Sequence, residues 1–520
     1  MSRRAASARE GPPLILSAAG VLVAALAAAA SIVLPTGRAR AAAMLLALVL
    51  FPLLILGDQW HSTQIADLRE HTARLVALGV VGLVAAIALA AVFRRWAILL
   101  PLAIVAALPF RIPLHAGGDT ANLLIPLYLV IAGGVLALVS RSWPAHASRA
   151  GGVVGGTAPE DASATAGGGG SSTATGPARY LPWALAGVVV LYALQTLYSP
   201  DFSKSLQNVC FFFVPFSLVY ALLRDVRWDK KLLKLALWVI AIEALAFVFV
   251  GMIEYLSREL FWNDQVIRSN EFHTYFRVNS IFWDPNIYGR YLALVIVVAM
   301  SALLWAKERR TMALLTGLVA ILWLGLVFTF SQSSFIALLA GLAVLAALRW
   351  SLKWTLAAVG AGVVLAIVIV VFAGGASKLS PDRLNVDTSG RTNLVSGGVT
   401  MFARRPIWGY GAGAFPKAYR EHIATKKAPV SVSHTEPVTV AAEQGIIGLA
   451  AYAALLVVAL WTMASGLSWG AGPARAAVLA TFIALLIHTL AYAGFYEDPI
   501  TWVLLAAAAS LATIPVRDAA

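Results

Sequence analysis

Long apolar runs alternate with short charged stretches along most of the chain, and this pattern predicts membrane-spanning helices. A helix needs roughly 20 apolar residues to cross a bilayer, and runs of this kind recur from one end of the chain to the other. Such runs favour helices over a barrel of alternating strands. We therefore predict an all-α polytopic membrane protein with about 12–15 transmembrane helices. Its candidate spans lie near residues 13–34, 41–57, 74–93, 96–110, 122–139, 180–197, 206–223, 232–256, 287–305, 311–330, 334–349, 355–373, 437–463, 474–493 and 499–514.

The composition excludes a soluble globular protein. The 520 residues are 60% hydrophobic and 12% charged, whereas soluble domains are about half apolar and a quarter charged. The single Cys210 lies in an apolar run, which excludes a disulfide framework and a cysteine-rich metal site. The net charge of +14 comes from basic residues scattered over the loops. It indicates a membrane-lipid or phosphate partner, and no nucleic acid.

The basic residues of the short loops set the expected orientation, because lysine and arginine favour the cytoplasmic side. The basic loops are at residues 94–95, 224–234, 307–310 and 349–353. Counting outward from them places the loops at 257–286 and 374–436 outside. The same count puts the N-terminus outside, against the preference of Arg3, Arg4 and Arg9. One early span is therefore expected to be miscounted, re-entrant or interfacial.

The predicted organisation follows from these spans and loops. A stretch rich in Gly, Ala, Ser and Thr has too little apolar surface to pack, and indicates a flexible cytoplasmic linker at 148–179. Transmembrane helices are expected in 1–147, 180–256, 287–373 and 437–514. The extracytoplasmic segments are a loop at 257–286 and a large loop at 374–436, in which we expect the catalytic residues.

The large outer loop is basic, with nine Lys and Arg residues against four Asp and Glu residues between Lys378 and Glu436. Two interpretations stay open. The loop is either a solvated surface that faces lipid headgroups, or an electrostatic funnel for an anionic substrate such as a lipid-linked pyrophosphate. Arg404 and Arg405 belong to this set. The glycines on either side of Tyr410 are explained equally well by a phosphate cradle and by a structural turn.

His434 lies at the end of this loop, just before the first turn of a long apolar helix that is favoured by Pro437. A neutral imidazole at the membrane surface can take a proton from an attacking hydroxyl. Glu443 follows about two turns into the same helix. An acid inside a span is costly, which makes Glu443 a candidate substrate-binding residue.

The other outer loop ends at Asp284-Pro285, the pattern of a helix cap followed by proline at the first helical position. Arg277 and Arg290 flank this cap, and we expect both to converge with Arg391 on one anion. No Asp-x-Asp, no His-Glu-x-x-His and no Cys/His cluster occurs. This disfavours a metal-dependent nucleotide-sugar transferase and a zinc protease.

The residues around His434 resemble the O-antigen ligase and O-antigen polymerase superfamily of bacterial inner-membrane glycosyltransferases. His434-Thr435 is followed by nine residues and then by Gly445-Ile446-Ile447-Gly448. The ligase pattern is His, a small polar residue, nine variable positions, Gly, two variable positions and a small residue. Thr435 stands where Asn, Ser or Gln is more usual.

Two further segments are similar to the family. One is Arg277 with the Pro285-Asn286 pair, and the other is the loop before the histidine, with Ser389-Gly390-Arg391 and residues 406–411. In many members an Arg follows the Ser of the turn at Ser331, but Gln332 stands here. The resemblance covers about residues 200–510.

The resemblance implies a membrane-embedded glycosyltransferase fold of the GT-C-like type, with two functional outer loops that meet over a lateral opening to the bilayer. The donor would be a polyprenyl-pyrophosphate-linked glycan, and the acceptor a glycan or lipid hydroxyl. Arg277 and Arg391, supported by Arg290, would stabilise the leaving phosphate, and His434 would activate the acceptor, with no cofactor and no metal. Substrate contacts would also come from Glu443, Arg404, Arg405 and Tyr410. The site would lie on the periplasmic side of the bacterial inner membrane.

Other functions compete with this one. A polymerase would use a second lipid-linked repeat as acceptor, and a protein O-oligosaccharyltransferase would use a protein side chain. A flippase or exporter of lipid-linked glycan would distribute its charged residues through a central cavity at mid-membrane depth. The concentration of charges in two outer loops favours a transferase over transport.

Overall fold

The computed structural model describes residues 12–60, 72–116, 119–142, 176–272, 275–374, 391–423, 432–465, 467 and 472–512. The predicted linker at 148–179 lies outside these ranges except for a short 3-10 helix, Gly176–Arg179. The Ser389-Gly390 pair of the family resemblance also lies outside them.

The prediction of an all-α polytopic membrane protein is confirmed. Within the described ranges, eleven helices are long and apolar enough to cross a membrane, and three further apolar helices are shorter. Together these helices agree with the predicted number of about 12–15 transmembrane helices. The helices of the first half are α1 (Pro12–Val33), α2 (Arg38–Asp58), α3 (Thr72–Arg95), α4 (Leu99–Ala107), α5 (Ile125–Ser142), α6 (Leu181–Thr196), α7 (Phe202–Leu223) and α8 (Lys230–Ser257). Those of the second half are α9 (Asp264–Phe272), α10 (Pro285–Trp305), α11 (Arg309–Thr329), α12 (Gln332–Arg349), α13 (Leu352–Gly374), α14 (Arg391–Arg404), α15 (Phe415–His422), α16 (Glu436–Ala464), α17 (Pro473–Thr489) and α18 (Pro499–Ala512).

One early span differs from the prediction. The run at 96–110 contains only α4, nine residues long, which extends about 14 Å and is too short to cross a bilayer. Pro109 and Pro113 follow it, and proline cannot continue a helix because it lacks the amide hydrogen. A two-stranded antiparallel hairpin comes next, with β1 (Ile112–Ala116) paired to β2 (Asp119–Leu123). This hairpin is the described exception to the all-α prediction.

Side-chain contacts show which helix ends share a face of the molecule. Arg224, at the end of α7, donates to the backbone oxygens of Ile32 and Leu34 at the end of α1. Arg141, at the end of α5, donates at 3.0 Å to the backbone oxygens of Phe93 and Arg94 at the end of α3. We call the opposite face the site face, and it carries residues 197–201, 258–272, 275–284, 405–414, 432–435 and 490–498.

A buried aromatic cluster supports the site face from below. Phe213 and Phe216 of α7 lie within 6.3 Å of the Trp502 ring of α18, measured between ring centroids. The indole N–H of Trp502 donates at 3.0 Å to the backbone oxygen of Tyr496. Aromatic pairs of this kind contribute beyond their buried area. The cluster therefore fixes the segment 490–498 against the helix bundle.

Two buried glutamates hold loops of the site face. Glu254 of α8 accepts backbone N–H groups from Asn279 and Ser280, at 3.1 and 2.6 Å. Glu436, at the start of α16, accepts those of Gly494 and Phe495 at 2.7 and 3.1 Å. Buried backbone amides need such partners, because an unpaired one is costly. The carboxylates thus order loop backbone that no regular secondary structure pairs.

Candidate active site

Arg277 is positioned by the loop that precedes α10. Its backbone exchanges two hydrogen bonds with the Asn270 side chain, at 3.0 and 3.1 Å. Nε of Arg277 donates to the backbone oxygen of Thr329 at 3.0 Å, and Nη2 donates to Oδ1 of Asn286 at 3.3 Å. Burial lowers the pKa of Arg277 from its ordinary value, although a guanidinium stays protonated in proteins. Nη1 has no hydrogen-bond partner among the described residues.

A chain of short polar contacts continues from Asn286. Oγ of Ser331 donates to Oδ1 of Asn286 at 2.9 Å and lies 2.7 Å from Oγ of Ser334. Nε2 of His488 lies 3.4 Å from Oγ of Ser334 and 3.3 Å from Oγ of Ser333. This network joins α10, α12 and α17 beneath Arg277. The guanidinium of Arg277 is therefore oriented by neutral groups.

Arg391 begins α14 and reaches the segment 490–498 from the other side. Its Nη1 donates at 3.3 Å to the backbone oxygen of Ala491. Arg391 is close enough to lower the pKa values of both Arg277 and His434. The structure therefore brings together the three residues that the sequence predicts to be catalytic.

His434 adopts an unusual backbone conformation, with φ at 62°. This left-handed region is uncommon for residues other than glycine and needs support from the surroundings. The neighbours provide it. Oγ of Ser433 lies 2.8 Å from Oγ1 of Thr439, and Oγ1 of Thr435 donates to the backbone oxygen of Leu490 at 3.0 Å.

Burial lowers the pKa of His434 below 6.5, Arg391 lowers it further, and Asp284 opposes the shift. A lowered pKa keeps the imidazole neutral near pH 7, the form that accepts a proton. The imidazole is half-buried, and its ring centroid lies 6.2 Å from that of Tyr492. His434 is thus a candidate base in its neutral form, close to the guanidinium of Arg391.

Arg290 is buried rather than exposed to the site. It is 4% exposed, and its Nη2 forms an ion pair with Oδ2 of Asp498 at 2.7 Å. Its guanidinium carbon lies 5.9 Å from the ring centroid of Tyr492. A buried pair of this kind fixes the segment 490–498 to α10. The structure therefore places Arg290 behind Tyr492.

Arg404, Arg405 and Tyr410 form a separate group between α14 and α15. Arg404 donates to the backbone oxygen of His422 at 2.9 Å. The guanidinium of Arg405 lies 4.6 Å from the ring centroid of Tyr410, which in turn lies 5.1 Å from that of His422. None of these contacts, among the described residues, reaches the group of Arg277, Arg391 and His434.

The glycine-rich loop around Tyr410 packs against α16. Gly409 and Gly445 both have φ near 65°. A Cβ atom on Gly409 would lie 2.3 Å from the backbone oxygen of Glu443, and one on Gly445 would lie 2.2 Å from that of Ile407. Only glycine tolerates such an approach. The sequence left open a phosphate cradle and a structural turn. The close backbone approach at these glycines is between two parts of this chain, which favours the structural explanation.

The Glu443 carboxylate is directed at the same loop. It is 5% exposed and accepts the backbone N–H groups of Gly413 and Phe415, both at 2.9 Å. These bonds cap the start of α15. Glu443 also lines a cavity on the site face.

Three further residues lie close to the candidate site. Tyr492 contacts both His434 and His488 through its ring. Arg111 is close enough to influence the pKa of Tyr492, which burial raises. The polar His488 inside an apolar run was a detectable signal, whereas nothing in the local sequence singled out Tyr492 or Arg111. In the described parts of the chain, no group of three or more His, Cys, Asp and Glu side chains is arranged to hold a metal ion.

Part of the chain that contains candidate site residues matches a known protein family. Residues 317–453 match the family model described as O-antigen ligase. This segment includes Arg391, His434 and Glu443, and it ends shortly after Gly448. No curated protein matches the chain. This match confirms the resemblance seen in the residues around His434.

Proposed function

We propose that the protein is a glycosyltransferase of the O-antigen ligase or polymerase type. It transfers a glycan from a polyprenyl-pyrophosphate carrier to an acceptor hydroxyl at the outer face of the bacterial inner membrane. The observation that supports this most is the meeting of Arg277, Arg391 and His434 on one face of a polytopic protein. Two cations and a neutral base are what this reaction requires.

Arg277 and Arg391 bind the pyrophosphate of the donor. Their hydrogen bonds go to neutral oxygens of the protein, so the positive charges are not cancelled by a described carboxylate within ion-pair distance. Guanidinium groups match phosphate oxygens in pairs. As the glycosidic bond breaks, negative charge grows on the leaving phosphate, and fixed cations stabilise that charge without a metal ion.

His434 removes the proton of the acceptor hydroxyl. The acceptor oxygen forms a bond to the anomeric carbon while the bond from that carbon to the pyrophosphate oxygen breaks. The proton passes to the imidazole, and polyprenyl pyrophosphate leaves as the other product. A single in-line displacement inverts the anomeric carbon. Because its pKa is lowered, His434 is ready to accept the proton near neutral pH.

The test is transfer in proteoliposomes. Polyprenyl-pyrophosphate glycan and acceptor are mixed with wild-type protein or with His434→Ala protein, and glycan transfer and released polyprenyl pyrophosphate are followed. We expect transfer by the wild type and a loss of at least 100-fold in the variant. The size of the product separates one-step ligation from polymerisation. If neither protein transfers glycan while labelled lipid changes leaflet, the protein is a transporter.

A further inference from the structure

A cavity of about 260 Å³ opens on the site face beside α16. At about 30 Å³ per water molecule, its volume has room for on the order of ten water molecules or for a sugar ring. Its lining comes from α6, α7, α16 and the segments 413–416 and 493–497. Glu436 and Val432 line it and are two residues from His434 along the chain. The cavity therefore adjoins the candidate base.

The lining suits a hydroxyl-rich ligand. The Gln444 side chain lines the cavity, is only 5% exposed and makes no hydrogen bond to a described residue. Asn208 donates to the hydroxyl of Tyr192 at 2.9 Å, which leaves its oxygen as an acceptor. The rings of Tyr192 and Tyr496 provide apolar surface. A sugar ring has both hydroxyl groups and an apolar face, so amide and aromatic groups together match it.

The side chains that line this cavity differ from those of the anion site. Three carboxyl groups line it, those of Glu436, Glu443 and Glu497, against the single ammonium group of Lys204. No arginine is among the described residues of the lining. A pyrophosphate therefore finds no guanidinium partner in the cavity, and a neutral group binds better there than an anion.

We propose that this cavity binds the terminal sugar of a saccharide acceptor, with Gln444 as a hydrogen-bonding residue. The proposal rests on the proposed function. In a single displacement the acceptor oxygen attacks from the side opposite to the leaving group. The arginines hold the leaving group, so the acceptor approaches past His434 from the cavity. The acceptor is then a glycan whose reacting end is a neutral sugar.

Two variants test the proposal in different ways. Gln444→Leu removes the amide with little change in volume, and Ala493→Phe fills the cavity from its lining. Ala306→Phe, at the opposite end of α10, is the matched control for the added bulk. Transfer is measured in proteoliposomes while acceptor and donor are varied separately. We expect Gln444→Leu to raise the acceptor KM about tenfold, with the donor KM unchanged.

A second measurement does not need transfer. Saturation-transfer NMR on protein in nanodiscs, with methyl glycosides of a neutral hexose, an N-acetylhexosamine and a hexuronic acid, reports saccharide binding directly. We expect the neutral glycosides to bind the wild type and Arg391→Lys equally, and to lose binding in Ala493→Phe. Preference for the hexuronic acid would contradict the charge argument.

The outcomes separate the two proposals. Normal acceptor KM values in both cavity variants, with no glycoside binding, would overturn the acceptor site and leave the transferase intact. Glycoside binding that Ala493→Phe abolishes, in a protein that transfers nothing, would keep the saccharide site and reject the transferase. An equal loss in Ala306→Phe would show that the added ring only disrupts folding, and Gln444→Leu would then decide the question.

Discussion

Replacing Glu443 by Gln tests whether this buried acid holds the protein together or binds substrate. The carboxylate accepts two backbone N–H groups, from Gly413 and Phe415, each at 2.9 Å. Glutamine has nearly the same shape but only one acceptor oxygen. Its NH₂ group must face one of the two amides, so one hydrogen bond is lost and one buried N–H is left without a partner.

The magnitude follows from these two contacts. A hydrogen bond of this kind contributes about 0.5–1.5 kcal/mol, and an unpaired buried donor costs about 1–3 kcal/mol. We expect Glu443→Gln to lower the free energy of unfolding by about 3 kcal/mol. For a protein of this size, such a loss lowers the thermal midpoint by on the order of 3 °C.

The assay is the loss of monodisperse protein in detergent after heating, with Glu497→Gln as control. Glu497 lines the same cavity, but it is exposed and makes no hydrogen bond to a described residue. We expect its variant to keep the wild-type midpoint. If Glu443→Gln also kept that midpoint and instead raised a substrate KM, Glu443 would be a substrate ligand and the structural argument would be refuted.

Four further predictions concern the proposed reaction and its support. Arg391→Lys should reduce released polyprenyl pyrophosphate about 100-fold, because a point charge replaces a bidentate group; near-normal turnover would contradict the role of the arginine. The acidic limb of the kcat/KM–pH profile should lie below pH 6.5, because the lowered pKa of His434 in the free protein moves its protonation to lower pH; a limb above pH 6.5 would exclude this base. Chelators should leave transfer unchanged, and a loss that added Mg²⁺ restores would overturn the metal-free mechanism. Arg290→Met should destabilise the protein by about 3–5 kcal/mol, and Arg290→Met with Asp498→Leu by less, because removing one partner leaves a buried charge; equal melting of all three proteins would show that the pair is unimportant.

The hydropathy pattern was sufficient to predict the spans, because burial in a bilayer depends on local composition. It also predicted a helix start correctly. Asp284 caps α10 by accepting the N–H of Asn286 at 2.6 Å, with Pro285 at the first helical position. Such caps act within three residues, so they are visible in sequence. The prediction of a span at 96–110 was wrong, because average hydropathy does not register that proline ends helix α4.

The partners of the buried acids were not predictable. Glu443 binds backbone atoms 28 and 30 residues earlier in the chain, and Glu254 binds backbone 25 and 26 residues later. A local sequence pattern does not predict which backbone amide will donate a hydrogen bond to a given carboxylate. The rule that an acid in a span is functional suggested a substrate role for Glu443, and only the fold shows that its oxygens already have partners in the protein.

The arrangement of arginines explains how one fold uses the same side chain for support and for a candidate site. Arg290 is buried and paired with a carboxylate, and this ion pair holds α10 to the segment 490–498. Arg277 and Arg391 are oriented instead by backbone oxygens and an amide oxygen. A neutral acceptor fixes a guanidinium without cancelling its charge. That difference in partners, rather than the number of basic residues in the loops, supports the proposal that Arg277 and Arg391 bind an anionic substrate.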